Sequence, residues 1–170
     1  MTIYGVQGGT PRFLLARLLA HGKELYTLPE IARDPRGKPY FPDRPDLHFN
    51  WSHSGDLLLC ALSDRPVGVD IERTRPRRPY LPRYALTDAE FEEFEFLGGG
   101  WSAFYTVWTR REAWVKYTGD GLLAHRGEDP PVSGLFLRSS GGKGWRAAVC
   151  GEEKPPDQIF WLEKEDPSCG

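Results

Sequence analysis

LHFNWSHSGDLLLCALSDRPVGVDIE, residues 47–72, is the stretch whose reading decides the fold class. LHFNW (47–51), LLLCALS (57–63) and VGVDIE (67–72) are apolar-rich runs separated by the polar SHSG (52–55) and by Asp64-Arg65-Pro66. Short runs of this kind, bounded by turn residues, read as strands, and short turns join antiparallel neighbours. The stretch therefore predicts a three-stranded antiparallel meander. Its first turn raises a question, because a strand seldom needs two hydroxyls, an imidazole and a glycine to end. One answer is a plain polar turn. The other is a nest of turn N–H groups and hydroxyls that receives an anion.

On the N-terminal side, IYGV (3–6) reads as a short strand. Thr10 and Pro11 then give an N-cap and a proline in the first helical position. The helix they open runs through Arg12, Phe13, Leu14, Leu15, Leu18 and Leu19 and stops near Gly22. RDPRGKPYFPDRPD (33–46) is a turn-rich connection. On the C-terminal side, RTRPRRPYLPR (73–83) is a proline- and arginine-rich connector and the natural seam between two halves, 1–72 and 73–170. Thr87 and Glu90 have capping-box spacing and open a helix to Phe96. Gly98 to Gly100 break it, and a longer helix from about Ser102 to Tyr117 ends at Gly119. SGLFLRS, WRAAVC and IFWLE read as strands, followed by a frayed tail from Asp166. Each half reads roughly as a helix with three strands, so the class is α+β.

A chain of 170 residues forms one domain, or two small lobes sharing a core. Hydrophobic residues at 39% and six tryptophans suffice for that core, and 27% charged residues do not make a disordered chain. The net charge of -2 exerts no overall pull on nucleic acid or anionic membranes, so any basic function is local. MTIYGVQGG has neither a basic n-region nor a long apolar stretch, and Leu57–Leu62 is too short to span a bilayer. Cys60, Cys150 and Cys169 are scattered, without CxxC or metal spacing, and Cys60 and Cys150 read as small buried hydrophobes. A reducing, cytoplasmic setting with no nucleic-acid or membrane partner is expected.

Asp70 and Glu72 are two apart on a strand, so they share one face about 6–7 Å apart. Paired anions there either reach solvent or share a cation, and hard cations such as Mg²⁺ take oxygen ligands of this kind. Trp108, Glu112 and Lys116, at i, i+4 and i+8, share a helix face. That is either a routine surface pair or, beside Trp108, the wall of a cleft. Arg12 begins a helix, whose N-terminus attracts phosphate. Gly37-Lys38-Pro39 is a turn with a cation. Three carboxylates together with Arg12, Lys38, His53 and Lys116 suit a ligand with more than one phosphate.

The order of these pieces, RGKPYFPDRPDLHFNWSHSG, then VGVDIE, then WTRREAWVKYTGDGL, resembles the 4'-phosphopantetheinyl transferases of the Sfp type. Arg12 with its leucine-rich helix, LTDAE and WRAAVC extend the likeness over most of residues 1–150. The chain resembles a short member, because only Gln7 to Pro11 separate IYGV from the Arg12 helix. The resemblance implies an α+β fold of two similar halves, each a small antiparallel sheet with a packed helix, meeting at the active site of one compact catalytic unit. It implies transfer of the 4'-phosphopantetheine arm of coenzyme A to a serine of an apo carrier protein, acyl, peptidyl or aryl, with release of 3',5'-ADP. Asp70, Glu72 and Glu112 would hold Mg²⁺, or Mn²⁺, with Glu112 also the candidate base. Ser52 and His53 would contact the coenzyme A phosphates. Lys116 would stabilise pyrophosphate charge, Lys38 and Pro39 would frame the adenine nucleotide, and Arg12 would meet the 3'-phosphate. A monomer is expected. Two other readings use the same residues: a Mg²⁺-dependent phosphohydrolase of such nucleotides, and a non-catalytic carrier-protein or nucleotide-binding module.

Overall fold

The computed structural model describes residues 1–121, 124, 125, 127–131 and 133–163. The tail expected from Asp166, Cys169, and Leu122 of the last motif lie outside the described residues.

The chain is α+β, as expected. One sheet contains β1 (Thr2–Gln7), β4 (His48–Ser54), β5 (Leu57–Ser63) and β9 (Phe160–Leu162), in the order β4-β5-β1-β9. A second contains β6 (Val67–Arg73), β7 (Phe136–Gly142) and β8 (Trp145–Gly151), in the order β6-β8-β7. The helices are α1 (Pro11–Lys23), α2 (Leu81–Ala85), α3 (Asp88–Phe96) and α4 (Trp101–Thr118).

Every residue of β5 is buried, because the strand is covered on both faces. Leu58, Cys60 and Leu62 pack with Leu14, Leu15, Leu18 and Leu19 of α1. Leu57, Leu59 and Ala61 pack against Val67, Val69 and Ile71 of β6 and against Ala147 and Val149 of β8. The other face of the second sheet carries Ala148 and Cys150 against Ala113, Trp114 and Val115 of α4. The layers are thus α1, sheet, sheet, α4. Cys60 and Cys150 are free and buried, and burial pushes the Cys150 thiol up to about 12.

The helix signals hold. Thr10 accepts from the Phe13 amide, and Thr87 and Glu90 form the reciprocal capping box. Gly119 takes the left-handed conformation that closes α4. The first helix runs one residue past Gly22, and Glu24 rather than a glycine adopts the left-handed cap at φ 54°.

Four expectations need correction. The meander stops after two strands: β5 pairs with β4 on one edge and β1 on the other, so β6 has no free edge to join and pairs with β8. SHSG is not a turn, because β4 continues through Ser54 and only Gly55 and Asp56 link it to β5. IFWLE does not join its sequence neighbours, since β9 pairs in parallel with β1. The two connectors also contain structure, namely the β2–β3 ribbon (Ala32–Arg33 with Pro39–Tyr40) and α2.

Candidate active site

The site begins with a close approach. Gly68 faces α4, where a Cβ would meet the Ala113 carbonyl oxygen at 2.1 Å. No other residue type fits there. With α4 held this low, Glu112 and Lys116 come down over Asp70 and Glu72, which follow Gly68 at period two on the same face of β6. Lys116 Nζ lies 2.7 Å from Asp70 Oδ1, and Asp70 is only 4% exposed.

β4 supplies the opposite wall. Its even-numbered residues point to β6, where Asn50 Oδ1 accepts the Val69 amide at 2.9 Å. Ser52 Oγ donates to Asp70 Oδ1 at 2.7 Å and accepts from Lys116 Nζ at 3.0 Å. Ser54 Oγ donates to Glu72 Oε2 at 2.6 Å and accepts the Arg73 amide at 3.1 Å. The open edge of β6 is thereby satisfied by side chains instead of a second ladder. The expected anion nest does not form at SHSG, because Ser52, His53 and Ser54 lie in the β4–β5 ladder.

Burial raises the Glu112 carboxyl above its ordinary range. Asp70 and, more weakly, Glu72 add to the rise, and Lys116 opposes it. The three carboxylates are thus near enough to feel one another. Asp70 Oδ2 is buried without a hydrogen-bond partner. Among the described residues, no three His, Cys, Asp or Glu side chains are already gathered as a metal shell. A lysine ammonium lies on Asp70 instead. An orphaned buried oxygen in a set of oxygen donors with excess negative charge nevertheless fits a hard divalent cation.

On one side of this cluster lies a cavity of about 240 Å³, lined by Arg36, Lys38, Pro39, Trp51, Lys116 and Gly119 among others. Lys38 Nζ donates to the Tyr117 carbonyl at 2.7 Å. Burial lowers its pKa, with Asp34 and Cys150 opposing. On the other side, Glu72 lies in the wall of a cavity of about 420 Å³ with Arg77, Arg78, Tyr105 and Trp108. Trp108 therefore does line a cleft.

The structure brings Ser52, Asp70 and Lys116 into direct contact, with Glu72 and Glu112 alongside, and places Lys38 and Pro39 in the adjoining cavity. Arg12 and His53 stay exposed outside this cluster. His53 points away from Ser52 and Ser54 by strand alternation. Reasoning from the sequence missed Ser54 and Asn50 as contacts of β6. The signal was present: reading HFNWSHS as one strand puts Asn50, Ser52 and Ser54 on a single polar face.

Residues 66–167 match the family described as the 4'-phosphopantetheinyl transferase superfamily. Among curated proteins, the chain is similar to 4'-phosphopantetheinyl transferase Sfp of Bacillus subtilis (36% identical over 88 residues, 51% of this chain and 39% of that one). It is also similar to 4'-phosphopantetheinyl transferase AcpT of Escherichia coli (40% over 119 residues, 64% and 57%). A third relative is 4'-phosphopantetheinyl transferase psf-1 of Bacillus pumilus (32% over 115 residues, 64% and 48%). The matched segments thus span between 39% and 57% of these relatives' lengths.

Proposed function

Since the chain belongs to the 4'-phosphopantetheinyl transferase superfamily, we propose that it transfers the 4'-phosphopantetheine arm of coenzyme A to a serine of an apo acyl or peptidyl carrier protein and releases 3',5'-ADP. The observation that carries this reading is the convergence of α4 on β6, where Lys116 Nζ lies 2.7 Å from the buried Asp70 and Glu112 is close to both acidic residues of the strand.

In the reaction, the serine oxygen bonds to the β-phosphorus of coenzyme A, and the bond from that phosphorus to the oxygen bridging to the α-phosphate breaks. The serine proton goes to a base, and the leaving oxygen departs on 3',5'-ADP. A serine hydroxyl is a weak nucleophile at neutral pH. A carboxylate whose pKa is raised by burial and by neighbouring anions is a better base than an ordinary one, which supports Glu112 in that role. Lys116 stabilises charge on the pyrophosphate, and Lys38 and Pro39 border the cavity suited to the adenine nucleotide. His53 and Arg12 take the phosphates, and Ser52 holds Lys116 beside Asp70. Asp70, Glu72 and Glu112 would hold Mg²⁺ or Mn²⁺, which would supply charge neutralisation for the pyrophosphate. Among the described residues no helix is long and apolar enough to cross a membrane. The reading also takes the protein as a cytoplasmic monomer.

The test is mass spectrometry of apo acyl and peptidyl carrier proteins incubated with coenzyme A, Mg²⁺ and this protein. A mass gain of one phosphopantetheine arm, lost in Asp70→Ala and Glu112→Ala, is the expected result. Hydrolysis of coenzyme A without modification points to the phosphohydrolase, and binding without either reaction points to the non-catalytic module.

A further inference from the structure

Ser54 and Glu72 face each other across the seam between the two sheets. Ser54 is 8% exposed, and its hydroxyl has one proton. Its oxygen accepts the Arg73 amide at 3.1 Å, and its proton goes to Glu72 Oε2 at 2.6 Å. With its oxygen already accepting the Arg73 amide, the hydroxyl is the donor to Glu72. One strand period earlier the pattern repeats, with Ser52 accepting from Lys116 and donating to Asp70. The two hydroxyls therefore match the two carboxylates one to one, at the same separation of 18 residues. Asp70 is held from two sides, by Ser52 and by Lys116. Glu72 borders an open cavity, and among the described residues its only hydrogen-bonding partner is Ser54.

We propose that Ser54 is a positioning residue for Glu72, tying one carboxylate oxygen so that the other is presented to a divalent cation at the Asp70–Glu72–Glu112 cluster. The proposal deepens the reading of that site and rests on it. Hydrogen bonds that orient a ligating carboxylate fix its geometry before the cation arrives, and their loss typically weakens metal affinity about 10–100-fold.

The experiment measures Mn²⁺ binding to the full chain by electron paramagnetic resonance of free Mn²⁺, without coenzyme A or carrier protein. Ser54→Ala is expected to bind Mn²⁺ about 10-fold or more weakly than wild type. Ser54→Cys, close in shape but a weak donor, should behave like Ser54→Ala, and Ser54→Thr should recover most of the affinity. Coenzyme A binding in EDTA should be the same in all four proteins. If Ser54→Ala does not fold, the Cys and Thr pair carries the comparison. Unchanged Mn²⁺ affinity in the Ala or Cys variant overturns the proposal, as does a wild type that binds no Mn²⁺. A parallel loss of Mn²⁺ binding, coenzyme A binding and thermal stability also overturns it, since a merely structural serine would behave that way. A protein whose Mn²⁺ affinity depends on Ser54 yet which modifies no carrier protein defeats the transferase reading and leaves this one standing.

Discussion

A Cβ on Gly68 would lie 2.1 Å from the Ala113 carbonyl oxygen and 2.3 Å from the Tyr117 amide nitrogen. Both atoms are backbone, so no side-chain rotation relieves the clash. Gly68→Ala is expected to lift α4 off β6, costing about 3 kcal/mol or more of stability by overpacking. Glu112 and Lys116 then move with the helix, and a misplacement of about 1 Å is enough to cost roughly 100-fold in rate. Chemical denaturation and a transfer assay on the same variant check both. A variant with wild-type stability would show that the approach is not tight.

Arg111 and Glu90 form a buried ion pair at 2.7 Å, each side chain 7% exposed, joining α4 to the first turn of α3. Removing one partner strands the other charge. Arg111→Met should cost about 3–5 kcal/mol. Glu90→Gln combined with Arg111→Met should recover much of that loss, because a neutral amide strands no charge and its oxygen still accepts the Thr87 amide. A double variant no more stable than Arg111→Met would count against the pair as the source of the cost.

Arg75, Arg77 and Arg78 are exposed on the connector after β6, and Arg77 and Arg78 line the cavity that Glu72 also lines. If the carrier protein is acidic around its serine, these arginines steer its approach. Arg75→Glu with Arg78→Glu should raise the carrier-protein KM and leave the coenzyme A KM alone. The wild-type association rate should fall as salt rises toward physiological strength. Equal effects on both KM values would return the arginines to the role of a solvated linker.

Lys38 has a depressed pKa, so the folded chain holds its proton less tightly than the unfolded chain, whose value is near 10.5. The resulting stability is present above 10.5 and is lost as pH falls through the lowered folded value. Wild type should therefore gain stability relative to Lys38→Met as pH rises through the alkaline window below 10.5. Denaturation midpoints of the two proteins across that window provide the check, and parallel curves would show that burial of Lys38 is not costly.

Arg12 is exposed in the first turn of α1, away from the carboxylate cluster. A charged contact to the 3'-phosphate is worth about 1.5–3 kcal/mol. Preference for coenzyme A over its 3'-dephospho form should therefore be modest, and Arg12→Ala should remove most of it. The measurement is kcat/KM for both donors; a preference that survives undiminished assigns the 3'-phosphate to another residue.

Features carried by local patterns were legible in the sequence. The Thr10 and Thr87 caps, the Gly119 stop, the strands around Leu57–Leu62 and Val67–Glu72, and the shared helix face of Trp108, Glu112 and Lys116 all depend on residues within a few positions of each other. So did the α+β class, the shared strand face of Asp70 and Glu72, and the spacing that sets Lys116 one turn after Glu112. Partnership across the chain was not legible. Nothing in VGVDIE says that β6 pairs with Trp145–Gly151 rather than with the strand just before it, because that depends on both edges of β5 being taken. Nothing in SHS says whether its hydroxyls face a phosphate or a carboxylate; only the β4–β6 seam sets Ser52 on Asp70 and Ser54 on Glu72. Helix caps and strand alternation are properties of neighbouring residues, whereas edge occupancy and hydrogen-bond direction belong to segments that meet only in the folded protein.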